Sequence, residues 1–396
     1  MSISKNLSWC IWLVASIFYS YQYVLRVMPN IMLSDVMARF GIDAALFGQF
    51  SGVYYIGYCL MHLPLGIFLD RYGPRKVMAL CILLNVIGLV PLVLANHWAY
   101  LMVGRLCLGM GSSAAILGVF KVIRMGFEER HFTRMLSFAV TIGLIGAIYG
   151  GMPVSYLFDT YGYEPVVWTF TLMGLILAAV TYILVPDSST VQKETVLANL
   201  KTVFTNKKVL WVCILAGAMV GPLEGFADAW GSSFFKNVLG LGAQKANGLT
   251  SMIYIGMCFA PLLSQIAEKI GNEVKTIAGA GLVMLAVFVL TLGHFLQGIG
   301  LMVGFFLVGV ACAYQILAIY KASTYVPDHV TGLTTAVANM IIMGFGYVFH
   351  TVIGLVVHAC TPLGASVAFS YGVAIVPLGL AIGVIGFTWI AYKEAQ

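Results

Sequence analysis

Gly66-Ile67-Phe68-Leu69-Asp70-Arg71-Tyr72-Gly73-Pro74-Arg75-Lys76 is a short charged segment set between two long apolar runs, 46–68 and 77–95. The chain repeats that pattern on both sides of it. Apolar runs cover roughly 8–29, 46–68, 77–95, 98–120, 135–157, 166–185, 209–231, 247–267, 275–295, 297–320, 333–357 and 364–391, the ninth and tenth parted only at Gln297-Gly298. Each run is long enough to cross the hydrocarbon core of a bilayer, which takes about 20 residues as a helix. A helix also satisfies its own backbone polar groups there. The ~10-residue alternating segments of a transmembrane barrel do not occur.

Composition points the same way. Hydrophobic residues make up 61% of the chain and charged residues 9%, against roughly 25% charged residues in soluble domains. So little charge cannot cover a surface that faces water. The expected fold class is an all-α membrane protein with twelve transmembrane helices. The net charge of +6 does not argue for nucleic acid, because the basic residues are scattered through short loops and form no stripe. Their distribution reads as orientation. Sixteen Lys and Arg fall on one side and three, Arg39, Lys236 and Lys245, on the other. The positive-inside rule then puts both termini in the cytoplasm. Lys193 belongs to the larger group. The short loops suggest a bacterial inner membrane.

Lys5 followed by an apolar run resembles the start of a secretory signal. The run continues past Met28 with aromatics and no small-residue cleavage site, so it reads as the first span. The eight cysteines form no CxxC pair and read as small buried hydrophobes rather than as a disulfide framework or metal ligands. The longest polar stretch, 186–208, reads as a cytoplasmic linker with a surface-lying amphipathic helix around Val196–Phe204. It divides a six-helix bundle at 1–185 from a second at 209–396. Two matches at an offset of 198 support a parallel duplication: Asp70-Arg71-Tyr72-Gly73 with Glu268-Lys269-Ile270-Gly271, and His131 and Thr133 with His329 and Thr331.

The 66–76 segment resembles the G-x-x-x-D-R-x-G-R-R loop of the major facilitator superfamily, with Pro74 inserted before the basic pair. The degraded copy at 268–271 fits that family. Arg105-x-x-x-Gly109-x-Gly111 in the fourth span resembles the family's second motif. The resemblance implies two pseudo-symmetric six-helix bundles and secondary transport by alternating access, with solute held near the midplane between the halves. A third motif, common among drug/proton antiporters, departs here. Gly146-Ala147-Ile148-Tyr149-Gly150-Gly151 carries alanine in place of its proline, and its glycines read as close-packing residues. The Leu223–Gly231 stretch is locally similar to bacterial relatives of the lysosomal peptide-transporter group.

A cytoplasmic gate is expected at Gly66, Asp70, Arg71, Gly73 and Arg75. Gly66 would let helices two and eleven approach closely. Asp70 at the membrane boundary would meet the unpaired N–H groups of a helix N-terminus. Arg71 and Arg75 would pair across the bundle when the cytoplasmic side is closed, or serve only as positive-inside anchors.

Ionisable groups inside spans are costly and point to function. Tyr19, Gln22, Tyr23 and Arg26 share one helix face. A guanidinium beside phenols and an amide suits a carboxylate, which it grips bidentately. The alternative is a snorkelling arginine. Arg105 resembles the family's span-four arginine, implicated in substrate binding or proton coupling; a structural role is the alternative. Glu224 and Asp228, four residues apart, are candidate proton carriers, since two close, partly desolvated carboxylates raise at least one pKa; the alternative is that both sit at the outer mouth, solvated or paired with Lys236. Pro222 and Gly225 make their helix easy to break, and Trp230 lies just beyond. His350 is a third candidate carrier. Tyr314, Gln315 and Tyr320 in span ten and Asn339 in span eleven are candidates for the cavity wall.

No GxxxxGK[ST] motor sequence occurs, and neither HExxH nor GxSxG is present, so an ATP-driven pump and a membrane enzyme are disfavoured. No cofactor or metal is implied. The expected reading is proton-coupled uptake of a small carboxylate-bearing solute: an amino acid, short peptide, organic acid or carboxylate siderophore. A proton-driven exporter of drugs or metabolites and a non-transporting receptor remain open. The expected partners are that solute, protons and the lipid bilayer, without nucleic acid, and the protein is expected to be a monomer.

Overall fold

A computed structural model describes residues 5–187, 196–327 and 330–394. Lys193 and His329 lie outside the described residues. Among those described, eleven helical spans are long and apolar enough to cross a bilayer. A pair bent by 47°, Ala243–Met257 and Ala260–Ile270, makes a twelfth when counted as one span.

The chain folds into two compact units. The first comprises Met1–Met28, Ser34–Ile42 and Val53–Lys193; the second comprises Pro29–Leu33, Asp43–Gly52 and Glu194–Gln396. The N-terminal part of the chain forms α1 (Lys5–Val27), α2 (Pro29–Phe40), α3 (Ala44–Tyr72), α4 (Pro74–Leu94), α5 (Trp98–Gly126), α6 (Phe132–Gly150), α7 (Met152–Tyr161) and α8 (Tyr163–Leu184). After these come α9 (Val196–Thr205), α10 (Lys207–Gly225), α11 (Gly231–Leu239), α12 (Ala243–Met257), α13 (Ala260–Ile270) and α14 (Glu273–Leu292). The chain finishes with α15 (Ile299–Ala311), α16 (Tyr314–Ser323), α17 (Thr331–Cys360) and α18 (Ala365–Glu394). The polar stretch expected to carry a short helix holds α9, which packs against α10 and α17 with Val203 fully buried.

Local chemistry sets the breaks. Gly73 has φ +81° and precedes Pro74, the first residue of α4. Glycine takes that backbone without strain, and proline is suited to a first helical turn whose N–H has no partner. The inserted Pro74 is therefore a helix start. Asn206 caps α10 by accepting from the N–H of Lys208 at 3.0 Å, and Asn272 caps α14 through Lys275 at 2.9 Å. The turn at Gly298, φ +49°, separates α14 from α15 where the sequence has its shortest polar break.

The duplication is written in the backbone more clearly than in side-chain identity. Gly41 and Gly240 end α2 and α11 in the left-handed conformation. Gly73 and Gly271 follow α3 and α13, both at positive φ. A Cβ on Gly57 would strike the carbonyl of Leu106, and one on Gly109 the carbonyl of Tyr54. Its counterpart on Gly256 would strike Phe306, and on Gly309 it would strike Ile253. Helices α3 and α5 thus cross as α12 and α15 do, through small residues that let backbones touch. Gly143, Gly146 and Gly150 play the same part where α6 meets Tyr19, Ser20 and Val24 of α1, as expected for the 146–151 glycines.

Candidate functional site

In the first unit the polar candidates converge on the last turn of α1. Gln22, Tyr23 and Arg26 are all buried. The Arg26 guanidinium, on a residue 6% exposed, lies 5.3 Å from the ring centre of Tyr23 and 5.4 Å from that of Tyr55. Two aromatic faces stabilise a desolvated cation by about 2 kcal/mol or more. The Tyr54 hydroxyl donates to Gln22 Oε1 at 2.9 Å. Tyr19 stacks edge-on against Tyr23 at 5.2 Å. Tyr19 is partly exposed, the other three buried.

Arg105 is also buried, at 2% exposure, but its guanidinium faces backbone. It donates to the carbonyls of Leu25 and Arg26 at 2.7 Å each, over the Tyr54 ring at 4.8 Å. The reason lies in the sequence. In an α-helix the Leu25 carbonyl would accept from residue 29. That residue is Pro29, which has no N–H. Arg105 supplies the missing donor and fixes the end of α1. The structural alternative for Arg105 is the one the geometry favours.

Sequence reasoning missed the tyrosines of α3. Tyr54, Tyr58 and His62 recur every fourth residue, so they stand one above another. Tyr54 and Tyr58 stack at 6.4 Å, and Tyr58 and His62 at 5.1 Å. His62 Nδ1 is 3.1 Å from Ser113 Oγ. Together with Arg105 they line one polar seam between α3 and α5. The four-residue spacing of Tyr54, Tyr58 and His62 inside an apolar run was the available signal.

In the second unit the expected weak point of the seventh span is a π-helical turn, Phe226–Trp230, a distortion that recurs at functional sites. The two carboxylates differ in burial. Asp228 lies inside it, 1% exposed, and accepts a short hydrogen bond from the Tyr254 hydroxyl. Glu224 precedes it in α10 and is only half-buried. Trp230 is fully buried and donates to the His350 carbonyl at 3.2 Å, with Phe47 and Phe369 against its ring. His350 is fully buried too, its Nδ1 2.7 Å from the Gly346 carbonyl one turn back. Asn30 binds the N–H of Ser232 at 2.9 Å and Thr250 at 3.2 Å. Gln315 donates to Asn339 at 3.3 Å. Tyr314 is buried, and its hydroxyl has no hydrogen-bond partner among the described residues. Tyr320 is 56% exposed.

The 66–76 loop departs from expectation in two places. A Cβ on Gly66 would meet nothing within 4 Å, so the close approach expected there is not made. Helices α3 and α17 do touch, at the opposite end of α3. There a Cβ on Gly354 would lie 3.1 Å from the Gly48 Cα, and one on Gly48 would lie 2.5 Å from the His350 carbonyl. Asp70 takes Lys121 of α5 at 2.7 Å rather than a helix N-terminus. Arg71 lies over the Tyr72 ring at 5.4 Å. Arg75 lies over Tyr182 at 5.4 Å and donates to the Ile183 carbonyl at 3.5 Å, at the end of α8. Gly73 provides the turn already described.

The model of the Major Facilitator Superfamily matches residues 11–351. The chain belongs to that superfamily. Among curated relatives, an uncharacterized transporter of Buchnera aphidicola is 24% identical over 197 residues, 48% of each chain. A quinolone resistance transporter of Acinetobacter baumannii is 26% identical over 185 residues, 43% of this chain and 41% of that one. The chain spans about half the length of the curated relatives it matches. Two solved superfamily structures share the fold across nearly the whole chain. A bacterial homologue of the human lysosomal transporter Spinster, in an inward-facing and unoccupied conformation, superposes with a TM-score of 0.72 at 16% identity, covering 98% of both chains. The nucleoside transporter NupG gives 0.74 at 16% identity, covering 96% of this chain and 98% of that one. This superfamily member is thus a multi-pass membrane protein with the all-α fold expected from its sequence.

Proposed function

We propose that this superfamily member is a proton-coupled importer of a small carboxylate-bearing solute, working by alternating access as a monomer in a bacterial inner membrane. Both termini are cytoplasmic in this reading, and the bundles 1–185 and 209–396 are its two halves, joined by 186–208. One observation carries it: a buried arginine, Arg26, is held between the faces of Tyr23 and Tyr55. Aromatic faces stabilise a buried cation, and a guanidinium is the side chain suited to grip a carboxylate bidentately. Gln22 and Tyr19 add polar contacts beside it. Asp228, buried and bonded to Tyr254, together with partly exposed Glu224, is assigned the proton. His350 is a further carrier, and Trp230, Tyr314, Gln315 and Asn339 shape the solute's surroundings. Asp70, Arg71, Arg75, Gly66 and Gly73 gate the cytoplasmic side. No cofactor or metal takes part.

The test is uptake into proteoliposomes under an imposed pH gradient, with labelled amino acids, dipeptides, organic acids and carboxylate siderophores. Accumulation of one class that collapses with a protonophore supports the proposal. The match to a quinolone resistance transporter favours export as the second reading. Movement of hydrophobic cations, with no carboxylate compound carried, would establish export instead.

A further inference from the structure

At the end of the first unit where α1 begins and α5 meets α6, a groove of about 500 Å³ opens beside basic and aromatic side chains. Its wall includes Lys5, Arg130 and Arg134, together with Trp9, Phe127 and Phe138. Trp9 and Phe138 are each nearly half exposed. Trp9 meets Phe127 edge-on at 5.4 Å, and the Arg134 guanidinium lies 5.6 Å over the Phe138 ring. Glu128 also lines the groove, paired with Arg130 at 2.7 Å, which leaves a net positive wall. Neither the solute path proposed above nor the 66–76 loop uses these residues.

The same construction recurs in the second unit. Lys5-x-x-x-Trp9 at the start of α1 has its counterpart in Lys207-x-x-x-Trp211 at the start of α10. There a groove of about 380 Å³ is lined by Lys207, Lys208, Lys393, Trp211 and Trp389, with the Lys393 ammonium 4.0 Å over the Trp389 ring. Its acidic member, Glu394, is bound by Lys321 at 3.0 Å. Both grooves lie on the side that holds most of the Lys and Arg. Indoles collect at the boundary between hydrocarbon and headgroups, and basic pockets between transmembrane helices on the cytoplasmic side suit anionic headgroups.

We propose that the groove walled by Lys5, Trp9, Arg130 and Arg134 is a binding site for an anionic phospholipid of the cytoplasmic leaflet. The headgroup phosphate lies against Lys5, Arg130 and Arg134, and an acyl chain runs along Trp9 and Phe138. The α10 groove is its repeat. Charge complementarity selects a lipid over an apolar peptide. An apolar partner helix would bury this net positive wall without compensation, whereas a phosphate diester offsets part of its charge and its chains cover the exposed rings.

The test uses the full-length protein, delipidated in a neutral maltoside, with bound lipid counted by native mass spectrometry. The probes are palmitoyl-oleoyl phosphatidylglycerol, the matching phosphatidylcholine, and sodium phosphate. Each basic residue near an anionic surface accounts for about a five-fold change in binding. Phosphatidylglycerol should be held at least about five-fold more tightly than phosphatidylcholine, and Lys5→Gln with Arg134→Gln should weaken it about 25-fold, leaving phosphatidylcholine unchanged. Lys5→Arg with Arg134→Lys keeps the charge and should retain binding, which separates charge from fold. Equal retention of the two lipids would overturn the proposal, as would a Lys5→Gln/Arg134→Gln protein that binds phosphatidylglycerol like the parent. Displacement of the lipid by millimolar phosphate would replace the lipid assignment with a simple anion site.

Discussion

Truncating Arg105 tests why α1 ends where it does. Arg105 makes two hydrogen bonds at 2.7 Å to the carbonyls of Leu25 and Arg26 and lies over Tyr54. Hydrogen bonds to a charged donor contribute about 1.5–3 kcal/mol each, and a desolvated cation–π contact about 2 kcal/mol. Against this stands the several kcal/mol needed to take a guanidinium out of water, which truncation returns. The expected net loss for Arg105→Ala is about 3 kcal/mol, set largely by the Leu25 carbonyl left without a donor. Arg105→Lys keeps the charge but presents no fork, so one carbonyl goes unserved and about half that loss is expected.

The decisive variant is Pro29→Ala. It creates an N–H at the position that an α-helix uses to satisfy Leu25. In the Arg105→Ala background it should restore about 1 kcal/mol, the net value of one backbone hydrogen bond. In the parent, where Arg105 already serves that carbonyl, it should restore nothing. Unfolding of the purified protein by SDS in mixed micelles gives all four free energies and hence the coupling between the two positions. If the two substitutions add to within about 0.5 kcal/mol, as independent sites do, the link between Pro29 and Arg105 does not exist and the arginine must be explained another way.

The other predictions concern the proposed roles and the packing. Arg26→Ala should weaken carboxylate solute binding about 10- to 100-fold, the value of charged hydrogen bonds; unchanged affinity would reduce Arg26 to an anchor. Glu224→Gln or Asp228→Asn should abolish pH-driven accumulation while solute exchange continues, and intact accumulation in both would place the proton elsewhere. Gly109→Ala should destabilise by about 1–3 kcal/mol, because its Cβ overlaps the Tyr54 carbonyl. Gly66→Ala, which meets open space, should change stability by less than about 0.5 kcal/mol; the reverse order in thermal unfolding would contradict the packing described. Gly73→Ala should cost about 1–2 kcal/mol for holding φ +81° with a side chain.

Spans were legible because a bilayer demands one thing of every helix, about 20 apolar residues, and the twelve runs met it. The break in the seventh span was legible in kind, from Pro222 and Gly225, but not in form: neither residue signals a π turn at Phe226–Trp230. Four-residue spacing put Glu224 and Asp228 on one helix face; the structure has a π turn at Phe226–Trp230, with Glu224 partly exposed and Asp228 buried. Gly66 shows a different limit. A glycine in a helix announces a possible approach, and only the structure tells which glycine is used; here Gly48 and Gly354 take the part. Arg105 could have been read from sequence, since a proline four residues after Leu25 leaves a carbonyl that some donor must serve.

The glycine register gives the duplication a consequence for chemistry. Gly57 and Gly256 stand 199 residues apart, and so do Gly41 and Gly240. Under the same offset Tyr55 corresponds to Tyr254. Tyr55 lies against Arg26 in the last turn of α1; Tyr254 binds Asp228 in the π turn that ends the equivalent helix. In each half a tyrosine of the second span thus meets an ionisable residue near the end of the first span, with the sign of the charge reversed, although Arg26 and Asp228 stand 202 residues apart rather than 199. A phenol can serve either sign, through its ring face to a cation and its hydroxyl to a carboxylate. The tyrosine could stay while its partner diverged. On the proposed reading that divergence is the functional step. A guanidinium stays protonated at every physiological pH and can only attract an anion, whereas a buried carboxylate can take up and release a proton. Exchanging the charges, Arg26→Asp with Asp228→Arg, sets a carboxylate against the Tyr55 ring face and a guanidinium against the Tyr254 hydroxyl, and should no longer drive accumulation from a pH gradient. A swapped protein that pumps like the parent would show that the two positions are interchangeable and that neither role belongs to its own half.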